Sequence, residues 1–373
     1  MADQPSGVGD FMPNIARSII RESLRAQPNE PIIIQTARHT VDLATQVALE
    51  AYKAGADPAI MLESDDVFYG QFKHLTEEQL RQTSAHCLGI ADYVRSYVWL
   101  GGVEDPAPMR RVPKSKWAAM FEGEEAHHRK NLEKKQKQVS VGLGLVTRAR
   151  AKAYGFNYAA WKRMMEAAIA VNYASMRRTG EVLSAMLRHP AAVRVTADNG
   201  TDLRFRLAGE IRPPHLDDGV LSDDDLAIGN TTTSLPAGGI FVAPLEDSAN
   251  GRFVSDVPVP QVGTLIEGLS WTFKDGRAVD FSAKKNLKNS QLNFETATGP
   301  KDRIGSFGIG LNRKIVPGYL DSFYAQGAVT IGIGDNRDLG GSNESSYGFS
   351  AFQGHATVTI DGKPVVEEGR LVA

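Results

Sequence analysis

A single cysteine, no long apolar run and no surplus of either charge distinguish this chain of 373 residues. With Cys87 alone, an intramolecular disulfide and any multi-cysteine zinc or iron–sulfur site are excluded, and a reducing compartment is expected. No stretch reaches the roughly 20 apolar residues that span a bilayer, and Met1–Asn14 shows no basic segment followed by an apolar one, so a cytoplasmic protein is expected. Lysine and arginine total 42 against 44 aspartate and glutamate, which gives no global attraction to nucleic acid or to an anionic membrane. A small-molecule or protein partner is favoured. No Gly-x-Ser-x-Gly elbow is present, no Gly-x-Gly-x-x-Gly opens a helix after the first strand, and no period of 20–50 residues repeats. A nucleotide cofactor is therefore not expected.

What is present divides into two textures. Ile32-Ile33-Ile34 is a continuous apolar, β-branched run, Val41–Ala54 places Leu43, Val47 and Tyr52 at helical spacing, Gly55 ends that helix, and Ala59-Ile60-Met61-Leu62 reads as a second buried strand. A third strand falls at Tyr97–Leu100. Strand–helix–strand order produces parallel pairing. Thr76–Ser84 reads as a polar helix, Phe121–Lys137 as a charged helix with a solvated face, and Asn157–Arg188 as one long helix or two. After His189-Pro190, alternating segments turn at Asp198-Asn199-Gly200, Asp275-Gly276 and Asp361-Gly362, each flanked by strand formers. The expectation is an α/β protein: an N-terminal parallel α/β domain over 1–190 and a C-terminal antiparallel β-rich α+β domain over 191–373.

The C-terminal half carries Leu235-Pro236-Ala237-Gly238-Gly239-Ile240-Phe241, Glu246-Asp247-Ser248-Ala249-Asn250-Gly251, Ile304-Gly305-Ser306-Phe307-Gly308-Ile309-Gly310, Gly332-Ile333-Gly334-Asp335-Asn336 and Gly340-Gly341-Ser342-Asn343. In order and spacing these segments resemble the thermophilic leucyl aminopeptidases of the aminopeptidase T type and the related dihydroxypyridine ring-cleaving dioxygenases. The resemblance implies a homodimer with a metal site between its two domains. The implied ligands are a glutamate after Pro-Ala-Gly, a glutamate or histidine after Ile-Gly, a histidine in the strand before Gly-Ile-Gly, and a His-x-Asp pair near the C-terminus. At those positions this chain has Gly239, Ser306, Thr330, and the pair Gly348 and Ser350. Glycine offers no donor and a neutral hydroxyl is a weak one, so no metal is expected at that site.

Without an ion, water activation and carbonyl polarisation require a general base and hydrogen-bond donors. Ser306, Thr330, Tyr347, Ser350 and His355 are the expected pocket residues, with His355 a base toward Ser350, Ser306 or substrate, or a histidine at a strand start with a structural bond. Glu246 is a further candidate base if burial raises its pKa, or a turn-stabilising carboxylate together with Asp247. His215 either reaches the cleft or sits in solvent. His127-His128 point apart on a helix and make a poor metal pair, and Cys87 beside His86 reads as a structural cysteine. The expected activity is metal-independent hydrolysis or a related acid–base step on a small aromatic or heteroaromatic catabolite. The alternatives are a non-catalytic ligand-binding homologue, and a metal-dependent aminopeptidase or dioxygenase with ligands shifted to Glu246, Asp247, His215 or His355.

Overall fold

The computed structural model describes residues 11–261 and 263–373; most of the Met1–Asn14 segment lies outside the described residues. The chain forms two compact units. The first holds the chain up to Tyr158 together with Gly219–Pro236, and the second holds Ala159–Asp218 together with Ala237–Ala373. The helices expected over Asn157–Arg188 thus fall largely with the second unit, and the segment 219–236 with the first.

In the first unit, strands β1 (Pro31–Ala37), β2 (Asp57–Glu63), β3 (Ser96–Trp99), β4 (Lys137–Val141) and β8 (Thr232–Leu235) form a wholly parallel sheet in the order β2-β1-β3-β4-β8. Ile32 and Ile34 are buried on one face of β1, with Val98 of β3 and Val139 of β4 buried in the same sheet, whereas β2, at the sheet edge, leaves Ile60 and Leu62 exposed, which corrects its expected burial. Helix Val41–Lys53 follows β1, buries Leu43, Ala44, Val47 and Ala51 along one stripe, and ends where Gly55 takes φ +79°. Only Glu77–Arg81 of the expected Thr76–Ser84 helix forms, started by a reciprocal cap between Thr76 and Gln79. The charged segment belongs to helix Lys114–Glu133, most of whose acidic and basic residues are exposed.

In the second unit, helices Tyr158–Ile169 and Tyr173–Leu187 are separated at Asn172, whose side chain caps the second by accepting from Ser175 N–H. An eight-stranded antiparallel sheet is built from β5 (Pro190–Ala197), β6 (Thr201–Ala208), β10 (Asn250–Val254), β13 (Ser270–Lys274), β14 (Arg277–Ser282), β18 (Thr357–Ile360), β19 (Lys363–Glu367) and β20 (Arg370–Leu371). A five-stranded antiparallel sheet has the order β17 (Gly348–Gln353), β16 (Val329–Gly334), β15 (Ile304–Gly310), β9 (Gly239–Val242) and β7 (His215–Asp217); β11 (Val259–Gln261) and β12 (Thr264–Ile266) form a separate ribbon. The three expected tight turns connect β5–β6, β13–β14 and β18–β19. At Asp275-Gly276 and Asp361-Gly362 both central residues have positive φ, the geometry that matches the twist of a two-residue hairpin.

The two sheets of this unit share one buried cluster. Val193, Phe205 and Trp271 from the larger sheet pack with Ile240, Phe307, Val329, Ile331 and Ala351 from the smaller one. Because side chains alternate along a strand, the opposite face of the five-stranded sheet carries the other residue set. Among the described residues no helix is long and apolar enough to cross a membrane.

Candidate functional site

The five positions at which the resemblance implies metal ligands all lie on that opposite face, on β9, β15, β16 and β17. Its cross-strand rows follow from the pairing. His215, Phe241, Gly308, Thr330 and Phe352 form one row, and Ser306, Gly332 and Ser350 form the next. Both serine hydroxyls lean over the central glycine: a Cβ on Gly332 would meet Ser306 Oγ at 2.2 Å and Ser350 Oγ at 3.0 Å. Glycine is required there because only it leaves room for the two side chains to converge. Thr330, one residue pair along β16, is 3% exposed, and its hydroxyl has no hydrogen-bond partner. Three hydroxyls on adjacent strands therefore stand where ionic ligands were implied.

The rest of the face is aromatic. Phe241 is in ring contact with Phe323 and Tyr324, each at 6.3 Å, Phe323 lies 4.2 Å from Tyr324, and Phe323 lies 6.0 Å from Phe352. The Tyr324 hydroxyl donates to the buried Asp217 carboxylate. Trp161 stacks on Tyr319 with an interplanar angle of 12°, which braces the segment that carries these rings.

A pocket of about 260 Å3 opens at the end of this face, lined among others by Leu320, Gly348, Ser350 and Phe352. Asp321 follows Leu320. It is 9% exposed, its Oδ2 has no hydrogen-bond partner, and burial pushes its carboxyl up to about 6. A buried carboxylate without compensation is costly, and such groups concentrate at sites of acid–base work. The sequence reading missed Asp321 and Phe241. The available signal was an acid enclosed by apolar residues in Tyr319-Leu320-Asp321-Ser322-Phe323-Tyr324, which marks a carboxylate that burial will perturb.

The structure brings Ser306 and Ser350 together over Gly332 and sets Thr330 on the same face in the adjoining row, but it does not gather the remaining candidates there. His215 lies on β7, in the same row as Thr330 but three strands away, with its Nε2 buried and unpartnered. Tyr347 is buried, its ring packed on Phe294 and Phe349. His355 is 84% exposed at its side chain, and its Nδ1 lies 2.7 Å from Asp256, which corrects its reading as a base toward the serines. Glu246 is corrected as well. Burial would raise its carboxyl, but the Ser342 backbone N–H, Arg212 at 2.8 Å and the Asn336 amide outweigh burial and bring it to about 2. It clamps the Asn336–Ser342 loop and cannot hold a proton near neutrality.

The residues present do not fit the divalent ion that the resemblance implies. Gly239, Ser306, Thr330, Gly348 and Ser350 supply no ionic donor, and among the described residues no group of three or more His, Cys, Asp or Glu side chains is gathered to hold a metal. The shifted set is not gathered either, with Glu246 committed to Arg212 and His355 to Asp256.

The model of the thermophilic metalloprotease (M29) family matches residues 10–318, and the chain belongs to that family. Aminopeptidase 2 of Geobacillus stearothermophilus is 33% identical over 72 residues, a match that spans 19% of this chain and 17% of that protein. Among solved structures, AmpT from Thermus thermophilus superposes with a TM-score of 0.77 at 20% identity, covering 98% of this chain and 100% of that one. The 2,5-dihydroxypyridine dioxygenase of Pseudomonas putida KT2440 superposes with a TM-score of 0.62 at 13% identity, covering 99% of each chain. At these identities the two structures establish the shared α/β fold, and the family model establishes a peptidase-related lineage.

Proposed function

We propose that this chain is a metal-independent enzyme of the M29 scaffold that performs hydrolysis, or a related acid–base step, on a small aromatic or heteroaromatic molecule. The observation that carries this reading is the convergence of the Ser306 and Ser350 hydroxyls over Gly332, with the unpartnered Thr330 hydroxyl on the same face, beside a pocket whose neighbouring loop buries the Asp321 carboxyl with its Oδ2 unpartnered. Asp321, with its carboxyl near 6, is the group able to take a proton from water or from a substrate hydroxyl at neutral pH and to return it to a leaving group. The hydroxyls donate to oxygen charge that develops in the substrate, and the rings of Phe323 and Phe352 favour a planar ligand and exclude water. The partners proposed with this activity are the small-molecule substrate and a second copy of the chain, in the cytoplasm.

Turnover of a panel of aryl amides, aryl esters and heteroaromatic amides in excess chelator is the test. The reading expects activity that chelator leaves intact, that rises as pH increases through about 6, and that falls by about 100-fold or more in Asp321→Asn. Activity that requires added metal would refute it.

A second reading, a non-catalytic ligand-binding homologue, is favoured by the Phe241 ring that fills the Gly239 side of the face. It expects ligand-dependent thermal stabilisation without turnover.

A further inference from the structure

Gly239 occupies the start of β9, at the position implied for a ligating glutamate. The space its side chain would take is already filled. A Cβ at Gly239 would lie 2.6 Å and 2.7 Å from Cε2 and Cζ of Phe241 and 3.1 Å from Cδ1 of Tyr324. The same phenyl ring reaches across the next strand, where a Cβ at Gly308 would lie 2.4 Å from its Cδ1. The ring therefore rests on two glycines at once, and it cannot swing aside freely, since Phe323 and Tyr324 flank it and Tyr324 is anchored on Asp217.

We infer that Phe241 is the residue that excludes a divalent cation from this face, and that Gly239, Gly308 and Phe241 form one coupled set. An apolar ring with its weakly polar face takes the place of an anionic donor, so a cation entering here would lose hydration and gain no ligand. Restoration of a carboxylate at 239 alone is then blocked by steric overlap before coordination is at issue. Overpacking of this kind displaces neighbours instead of creating a site. The inference deepens the metal-free reading proposed above, but it concerns cation exclusion and can stand or fall without any turnover being detected.

The experiment restores the implied ligands together, as Gly239→Glu, Ser306→Glu, Thr330→His, Gly348→His and Ser350→Asp, once with Phe241 retained and once with Phe241→Ala. Each protein is incubated with zinc, manganese or cobalt and dialysed, and the metal per chain is measured. Cation exclusion by Phe241 predicts about one metal per chain or more only when the ring is removed. Equal loading with Phe241 in place, or no loading in its absence, overturns it. So many substitutions threaten folding, so a simpler pair reads the coupling directly. Gly239→Ala is expected to lower the melting temperature by about 5 °C or more with Phe241 present and by less than half as much in the Phe241→Ala background. An equal loss in both backgrounds overturns the coupling. Failure of turnover with both of these results intact would count against the proposed chemistry alone.

Discussion

Asp321 and Glu246 are two carboxylates of the same unit that burial and partners drive in opposite directions. Glu246 is brought to about 2 by donors that outweigh its burial, so its stabilising effect is full above its ordinary value of 4.5 and is lost as pH falls toward 2. Asp321 has no such donors. Its carboxyl rises from an ordinary 3.8 to about 6, so the folded state prefers the protonated form. The native chain therefore loses stability as pH rises from about 4 through 6, by an amount on the order of 3 kcal/mol. Asp321→Asn, which carries no charge at any pH, is expected to be more stable than the wild type in urea unfolding at pH 8 and about equal to it at pH 4. A variant that is less stable at both pH values would show that the carboxylate has a partner within the fold. The stability gained by removing a group at the expected cost of activity is the trade that functional sites commonly make.

At the scale of strands and turns, the sequence made most of the architecture legible. The Ile32–Ile34 run, the Leu43/Val47 spacing and the Asp-Gly turns encode local geometry, and the strands, helix and hairpins form where those patterns place them. The site was legible only in part. Ser306, Thr330 and Ser350 could be placed on one face because segments flanking them keep their pattern, whereas Asp321, Phe241, and the partners of His355 and Glu246 depend on contacts between residues far apart in the chain, as His355 and Asp256 are, or on loop burial. No periodicity reports such contacts. The hairpins also differ in what they carry. A Cβ at Gly200, with φ +95°, meets nothing within 4 Å, whereas at Gly276, with φ +79°, it would meet Glu246 O at 1.7 Å and Asp247 Cα at 2.6 Å. Gly200→Ala is expected to cost about 1 kcal/mol of backbone strain. Gly276→Ala is expected to cost at least about 2 kcal/mol more because it pushes the backbone that positions Glu246. Equal unfolding midpoints for the two variants would deny that the β13–β14 turn buttresses this loop.

Across the whole molecule, each compact unit is assembled from two separate stretches of chain. The last strand of the parallel sheet, β8, pairs with β4 only after the intervening helices and the β5–β6 hairpin have been traversed. A fragment ending at Leu187 therefore contains β1–β4 but leaves β4 with an open edge. It is expected to aggregate, while a chain ending at Ala373 stays monodisperse at the same concentration in light scattering. A soluble, monomeric fragment would show that β8 is dispensable.

The same discontinuity sets a clock during synthesis. At about 5–20 residues per second, β4 waits several seconds on the ribosome before Thr232–Leu235 emerges to cover it. In that interval the nascent chain presents Lys137–Val141 as an unpaired template, and slower translation of the intervening stretch lengthens the exposure. Synonymous codon choice between residues 142 and 231 would thus govern yield in this chain, through its demand for chaperones, without altering a single side chain of the finished fold.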